Sequence, residues 1–459
     1  LYPAVSAKDA AGRPVGYGYC VSEPATWELL GDILDEIVER YLRPNGLDLL
    51  QLACDEVYPI RSVYPHDPLA EVNPWCQCPA CARLGEAGQL TRYVVRLAGF
   101  LKARGVKTMV WQDTFVRLKA LPALWASLQE AGLEEHVSMG WWCYKEPLPN
   151  FDERLPIPNW TQPSVGLLPS IFYQDFSRNI YGMLRRGWEA GAVGATAYNV
   201  PDPAQHKNYH CLAEFAWNQG GSLPQFEIRY AQAYFGEAWR DALEAFDAAQ
   251  RVTGCYPLLV YILDQLLYYF NSYPYGTKDY PANILAAVAT DPLALREALK
   301  QSAALLETAL QLAERCRPAD RAGLLPAFIL ECERIRSVAR GVLDATAALA
   351  DYVEARARSA DDPPAARALL GRAAHTLRTA SEEVLRVMGE MARVKPAYLA
   401  PAALREVSYL ASFLHELAGE LGGLAAEEEA GRLTELPQLP IIERIGESRL
   451  RAMWHPWEF

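Results

Sequence analysis

From residue 24 to residue 198, short apolar runs alternate with amphipathic stretches. Trp27, Leu30, Leu34, Ile37 and Tyr41 recur at the spacing of one helix face, behind Ser22 and Pro24, and predict a helix over 24–42. Asn45-Gly46 breaks that pattern, and the apolar run 47–54 predicts a buried strand ending in Asp55-Glu56. The unit then repeats. A helix over 89–104, closed by Gly105, leads to a strand over 106–111 that stops short of Asp113. A helix near 120–131 leads to a strand over 136–142. After a proline-rich loop, the run 165–173 predicts a strand ending at Asp175, and a helix near 176–190 leads to a last strand over 193–198.

Such alternation predicts parallel βαβ units. A closed barrel has eight strands, and the strands here begin near residues 48, 106, 137, 165 and 193. The expectation is an α/β fold of the TIM (β/α)8-barrel type, incomplete at its N-terminus in this chain, with residues 1–20 able to hold the end of one more strand. An open doubly wound sheet is the competing arrangement. Both place a ligand at the carboxyl ends of the strands, where the acids and rings of this sequence gather.

Beyond about residue 225 the pattern becomes purely helical. Leu295, Leu299, Leu306, Leu310 and Ala313 form one stripe, and Phe328, Ile335, Val338, Val342, Ala345 and Leu349 another, with similar patterns over 365–392 and 402–428. The expected division is a barrel domain over 1–225 and an all-α domain over 226–459. The latter is read as support or as a homo-oligomer interface. A tail from Leu436, with Trp454 and Trp457, is expected to dock back.

Composition narrows the function. A net charge of −12 over 459 residues argues against nucleic acid as a partner, and no long uncharged apolar run predicts a membrane span. The 12 Trp and 24 Tyr supply ring faces that suit sugars as well as cores. The segment from Leu1 carries no leader pattern, and the sequence assigns no compartment.

Asp55-Glu56 is the leading chemical candidate. Two adjacent carboxylates closing an apolar strand have environments that can differ. Burial raises one into a proton donor near neutrality while the other stays charged, and glycoside cleavage needs such a pair.

The segment Leu50-Gln51-Leu52-Ala53-Cys54-Asp55-Glu56-Val57 resembles the signature of the family 20 β-N-acetylhexosaminidases, in which a strand ends in Asp-Glu before an apolar residue. That family carries His and Gly before the pair, where this chain has Gln51, Ala53 and Cys54. The helix starting at Pro24 to Thr26 and the later strand ends extend the resemblance to about residue 220. Trp111-Gln112-Asp113 is similar to the fifth-strand Trp and acid. Trp141-Trp142, with Tyr144 beyond, falls at the aromatic wall of the sixth strand. Tyr173-Gln174-Asp175 is similar to the seventh-strand Tyr-x-Asp, and Tyr198 stands where an eighth-strand Trp is expected, with Val200 where that family has Glu.

The resemblance implies an exo-acting hydrolase of terminal N-acetylhexosamines, working with retention by substrate assistance. Glu56 then protonates the glycosidic oxygen, the substrate's acetamido carbonyl attacks the anomeric carbon, and Asp55 orients the acetamido N–H. Trp111, Asp113, Trp141, Trp142, Tyr144, Tyr173, Asp175 and Tyr198 are the implied sugar contacts. No cofactor is required by such a mechanism.

Two further features suit metal chemistry. Cys76, Cys78 and Cys81 fit a structural zinc, with Cys54, His66 or another residue as fourth ligand, or else reduced thiols or a disulfide. His206 and His210 lie four apart, with Glu214 four further on, in a spacing that fits either a metal site or helix packing. Trp217 is read as core or pocket lining. Two other function classes stay open beside the hydrolase: a barrel that binds carbohydrate without cleaving it, and a metal-dependent hydrolase.

Overall fold

The computed structural model describes residues 2–57, 60–61, 71–144, 150–166, 175–198, 202–255, 292–394, 400–433, 435–437 and 439. Two compact units emerge. The first comprises Leu1–Val165, Phe176–Asn199 and Cys211–Gly221, and the second comprises Gly166–Asp175, Val200–His210 and Ser222–Phe459.

The first unit opens with an antiparallel hairpin, β1 (Ser6–Lys8) and β2 (Pro14–Tyr19), rather than with a strand of the main sheet. Helix α1 (Pro24–Ile37) buries Trp27, Leu30 and Leu34 as the spacing requires. It then passes into one π-helical turn, Val38–Leu42. That turn inserts one extra residue into the repeat. The inward positions become Val38 and Leu42, and Tyr41 is turned outward, 59% exposed, against expectation.

The main sheet holds β3 (Leu49–Gln51), β6 (Lys107–Trp111), β7 (Val137–Trp142), β8 (Asn159–Gln162) and β9 (Gly194–Ala195), all parallel and paired in that order. A small antiparallel pair, β4 (Ile60–Arg61) and β5 (Glu71–Val72), stands apart from it. Strand order follows chain order throughout. A doubly wound sheet reverses at a switch point, so the winding is that of a barrel. Among the described residues the sheet has five strands, with β3 and β9 at its edges. The fold is α/β, and the closed eight-stranded barrel is not present in these residues.

Intervening helices are α2 (Pro79–Lys102), α3 (Asp113–Arg117), α4 (Leu121–Ala131) and α5 (Ser177–Glu189); α6 (His206–Trp217) follows β9, and its residues from Cys211 on belong to this unit. Val110, Val137, Met139 and Trp141 share one core with Leu90 and Val94 of α2 and Leu124 and Leu128 of α4. Each such aliphatic side chain contributes about 1.5–3 kcal/mol on full burial. By the pleat, Trp111, Gly140, Trp142 and Trp160 belong to the opposite face.

The fourth sheet strand is a correction. Among the described residues it is Asn159–Gln162, which precedes the expected run; residues 167–173 of that run lie outside the described residues. Among the described residues an isolated bridge, Ser164 to Tyr198, follows it.

The second unit is helical. After α7 (Leu223–Phe235) and α8 (Trp239–Cys255) come α9 (Pro292–Cys316), α10 (Leu325–Arg358), α11 (Pro363–Val394) and α12 (Ala400–Glu429). Leu299, Leu306 and Ala313 are buried, as are Phe328, Ile335, Val338, Val342 and Ala345. Leu436 and Leu439 are buried too, and Tyr352 donates to Pro437 O at 2.7 Å. Trp454 and Trp457 fall outside the described residues. No helix among the described residues is long and apolar enough to cross a membrane.

Candidate active site

β3 ends at Gln51, but the chain continues beside β6. Leu52 N–H donates to Met109 O at 2.9 Å, and Trp111 N–H donates to Ala53 O at 2.9 Å. Ala53, Cys54 and Glu56 then adopt φ of 57°, 72° and 51°, three of the five positive-φ non-glycine residues among those described. Such a backbone stores about 1–2 kcal/mol per residue. The strain falls on the segment that presents Asp55 and Glu56.

Residues beyond β6 hold this bend. Glu56 N–H donates to Asp113 Oδ2 at 2.7 Å, Val57 N–H donates to Thr114 Oγ1 at 3.2 Å, and Arg117 Nη2 donates to Val57 O. Asp113 and Thr114 open α3, so the acid pair docks on the element that follows the neighbouring strand.

The electrostatics follow from this packing. Burial pushes the Glu56 carboxyl up to about 7, with the charges of Asp55 and Asp113 adding to it. Burial also raises Asp55. Asp113 is raised chiefly by burial, opposed by the hydrogen bond from the Glu56 amide and reinforced by the charge of Asp55. Behind them Cys54 is buried and its thiol is pushed up to about 12, by burial and then by Asp55 and Asp113, which keeps it neutral.

A row of rings adjoins the acids. Trp142 stacks on Tyr144 with centroids 5.1 Å apart, and Tyr144 meets Tyr198 at 6.0 Å. The Tyr144 hydroxyl is raised by burial, then by Tyr198, Glu56, Asp55 and Asp113. Tyr198 is raised by burial and by Glu56. All three rings and all three acids belong to the first unit.

Supporting residues that carried no sequence signal position this row. The Gln112 side chain accepts from Trp142 N–H at 3.1 Å and donates to Trp142 O at 2.8 Å. Asn179 of α5 donates to Cys143 O at 2.8 Å and accepts from Ser164 N–H at 3.3 Å, strapping the segments after β7 and β8 together. Trp111 lies buried across Gly140, its partner in register. A Cβ there would sit 2.3 Å from the ring.

Three other residues were expected to contact the sugar. Trp141 is a core residue with no exposure, edge-on to Phe151 and donating Nε1–H to Asn159 Oδ1 at 2.8 Å; alternation along β7 sends it to the helix-covered face. Tyr173 lies outside the described residues. Asp175 belongs to the second unit, where its carboxylate meets Lys207 Nζ at 2.5 Å and Glu227 meets the same ammonium at 2.9 Å. Burial alone would depress Lys207, but these two anions hold it above its usual range. Trp217 is 93% exposed, and so is neither core nor pocket lining.

Of the metal candidates, the thiols of Cys76, Cys78 and Cys81 are brought together with that of Cys20, all four sulfurs within 4.8 Å of one another. Cys54 is not among them, and His66 lies outside the described residues. His206 and His210 pack as a pair in the second unit. His206 Nδ1 shares a hydrogen bond with Tyr230 Oη at 3.1 Å, and His210 Nε2 shares one with Tyr234 Oη at 2.9 Å. Burial, and for His206 also its neighbour His210, lowers both, His206 to about 4. These are neutral packing rings. Among the described residues the thiol cluster is the one grouping with metal-ligand geometry.

An α/β unit with acids and rings at the carboxyl end of a parallel sheet is thus the class that fold and site define. No protein-family model matches the chain, and no curated protein does. Among solved structures, one described as a GH138 enzyme targeting pectin rhamnogalacturonan II is similar, with 9% identity and a TM-score of 0.41, over 94% of this chain and 61% of that one. The chain therefore spans about three fifths of that neighbour's length.

Proposed function

We propose that the chain is a glycoside hydrolase in which Glu56 is the proton donor and the Trp142–Tyr144–Tyr198 row receives the sugar. The observation that carries this reading is Glu56 itself, a half-buried carboxyl pushed up to about 7, beside two further acids and three rings. A donor poised near neutrality is what protonation of a glycosidic oxygen requires. As the anomeric C–O bond breaks, the Glu56 proton passes to the leaving oxygen. The resulting carboxylate then takes a proton from the incoming water.

For the substrate we propose a terminal N-acetylhexosamine. Its acetamido oxygen attacks the anomeric carbon, and Asp55 receives the acetamido N–H and balances the cationic ring that forms. No protein nucleophile enters. The test uses the full chain with nitrophenyl N-acetyl-β-glucosaminide, the galactosaminide, and the plain β-glucoside. Turnover of the N-acetylated sugars alone is expected, with Glu56→Gln lowering kcat by roughly 10²–10⁴-fold while sugar binding persists in calorimetry. Full turnover by Glu56→Gln removes Glu56 from the chemistry. Binding by the parent chain without turnover makes it a carbohydrate-binding protein instead. Equal cleavage of the plain glucoside removes substrate assistance.

A further inference from the structure

We propose that Cys20, Cys76, Cys78 and Cys81 bind one zinc ion as a tetrathiolate, a structural centre that fastens the N-terminal hairpin to the loop entering α2. Four thiolates at about 2.3 Å from a tetrahedral zinc have sulfurs about 3.8 Å apart. Cys20 Sγ lies 3.8 Å from Cys78 Sγ and 3.8 Å from Cys81 Sγ, and the whole set fits within 4.8 Å. A disulfide has its sulfurs about 2.05 Å apart. No pair here is bonded, and all four thiols are free.

The surroundings fit thiolate ligands. Lys8 N–H donates to Cys76 Sγ at 3.4 Å, and Cys81 N–H donates to Cys78 Sγ at 3.4 Å. Donors aimed at sulfur favour the anion and fix the ligand's direction. Cys20, Cys76 and Cys81 are buried and Cys78 is half-buried. The loop is itself clamped by Gln89, which accepts from Cys76 N–H at 3.0 Å and donates to Cys76 O at 3.1 Å and Cys81 O at 3.2 Å. With four protein ligands and no open position, the centre is structural. Its formation needs no oxidant: the ion enters, four thiol protons leave, and the site carries two net negative charges.

The hairpin contributes only Cys20, at the end of β2, and the other three ligands come from the stretch around the start of α2. Gly18 runs so close to this loop that a Cβ would sit 2.1 Å from Pro74 O, so the two segments meet at backbone distance. The ion would lock that contact.

The experiment is elemental analysis of the purified full chain, with zinc released on thiol titration by mercurial. One zinc per chain is expected. Cys20→Ser is expected to cut retained zinc at least several-fold, and Cys54→Ala and Cys332→Ala to leave it at one. Cobalt exchanged into the site is expected to give the strong visible absorption of a tetrahedral thiolate centre. Absence of zinc with four reactive thiols, iron in place of zinc, a mass deficit from disulfides in the unreduced chain, or full zinc content in Cys20→Ser would each overturn the proposal. The parent-chain measurement decides even where a variant fails to fold.

Discussion

The Glu56 amide donates to the Asp113 carboxylate at 2.7 Å, so the acid after β6 positions the acid after β3. The same carboxylate also raises Glu56 through its charge. One residue therefore fixes the place of the candidate proton donor and, after burial and the charge of Asp55, adds to the rise in its pKa.

Asp113→Asn separates these roles, because an amide oxygen still accepts from the Glu56 N–H while the charge is gone. Glu56 must be protonated to donate, so activity is expected to fall as pH rises through about 7 in the parent. Removing a charge that raises Glu56 moves this alkaline limb to lower pH. The sign for stability is the same. A carboxyl raised in the folded state contributes stability below its unfolded value near 4.5, and this is lost as pH rises toward 7. A kcat/KM profile of Asp113→Asn with an unmoved or alkaline-shifted limb would contradict the assignment.

Ala53→Gly tests the strained bend. Ala53 holds φ at 57° without a glycine's freedom, while its carbonyl accepts from Trp111. Relief of the left-handed strain outweighs the added flexibility of the unfolded chain, for a net gain of about 0.5–1 kcal/mol in urea unfolding. A loss of stability would mean that the Cβ makes contacts worth more than the strain.

Gly140→Ala tests the opposite constraint. The new methyl would meet the Trp111 ring at 2.3 Å, and both lie in the register that carries Gln112 and Trp142. Displacing the ring is expected to destabilise by about 1–3 kcal/mol and to lower kcat/KM through Trp142. Gly194→Ala, 2.4 Å from Trp160, is expected to destabilise similarly. Crystal structures or unfolding curves showing either change to be silent would refute the packing.

The sequence disclosed those parts of this arrangement that follow a simple period. β6 and β7 were legible because apolar runs stop at Asp113 and after Trp142. β8 was hidden because three of its four residues, Asn159, Thr161 and Gln162, are polar. Asn159 is buried only because it accepts from Trp141 Nε1–H and donates to Leu155 O and Ile157 O, so no apolar run marks the strand. The π-turn at Val38–Leu42 changes which side Tyr41 faces without leaving a compositional trace. Asp55 and Glu56 were legible as a pair at a strand end, whereas the positioning roles of Gln112 and Asn179 depend on contacts 30 to 36 residues away in the chain. Cys20 was missed because a hairpin, not local spacing, carries it to Cys78 and Cys81.

Asp175 separates the role its motif suggests from the role its neighbours give it. Lys207 is buried and pairs with Asp175 and Glu227. Lys207→Met leaves both carboxylates without their cation and is expected to destabilise by about 3–5 kcal/mol. Asp175→Asn retains Glu227 as a partner and should cost less. The double variant should recover part of the Lys207→Met loss, because the methionine no longer strands a second anion. Urea unfolding of the four chains measures the coupling. If Asp175→Asn instead leaves unfolding unchanged and raises KM for a cleaved glycoside, the carboxylate serves the sugar and not the ammonium.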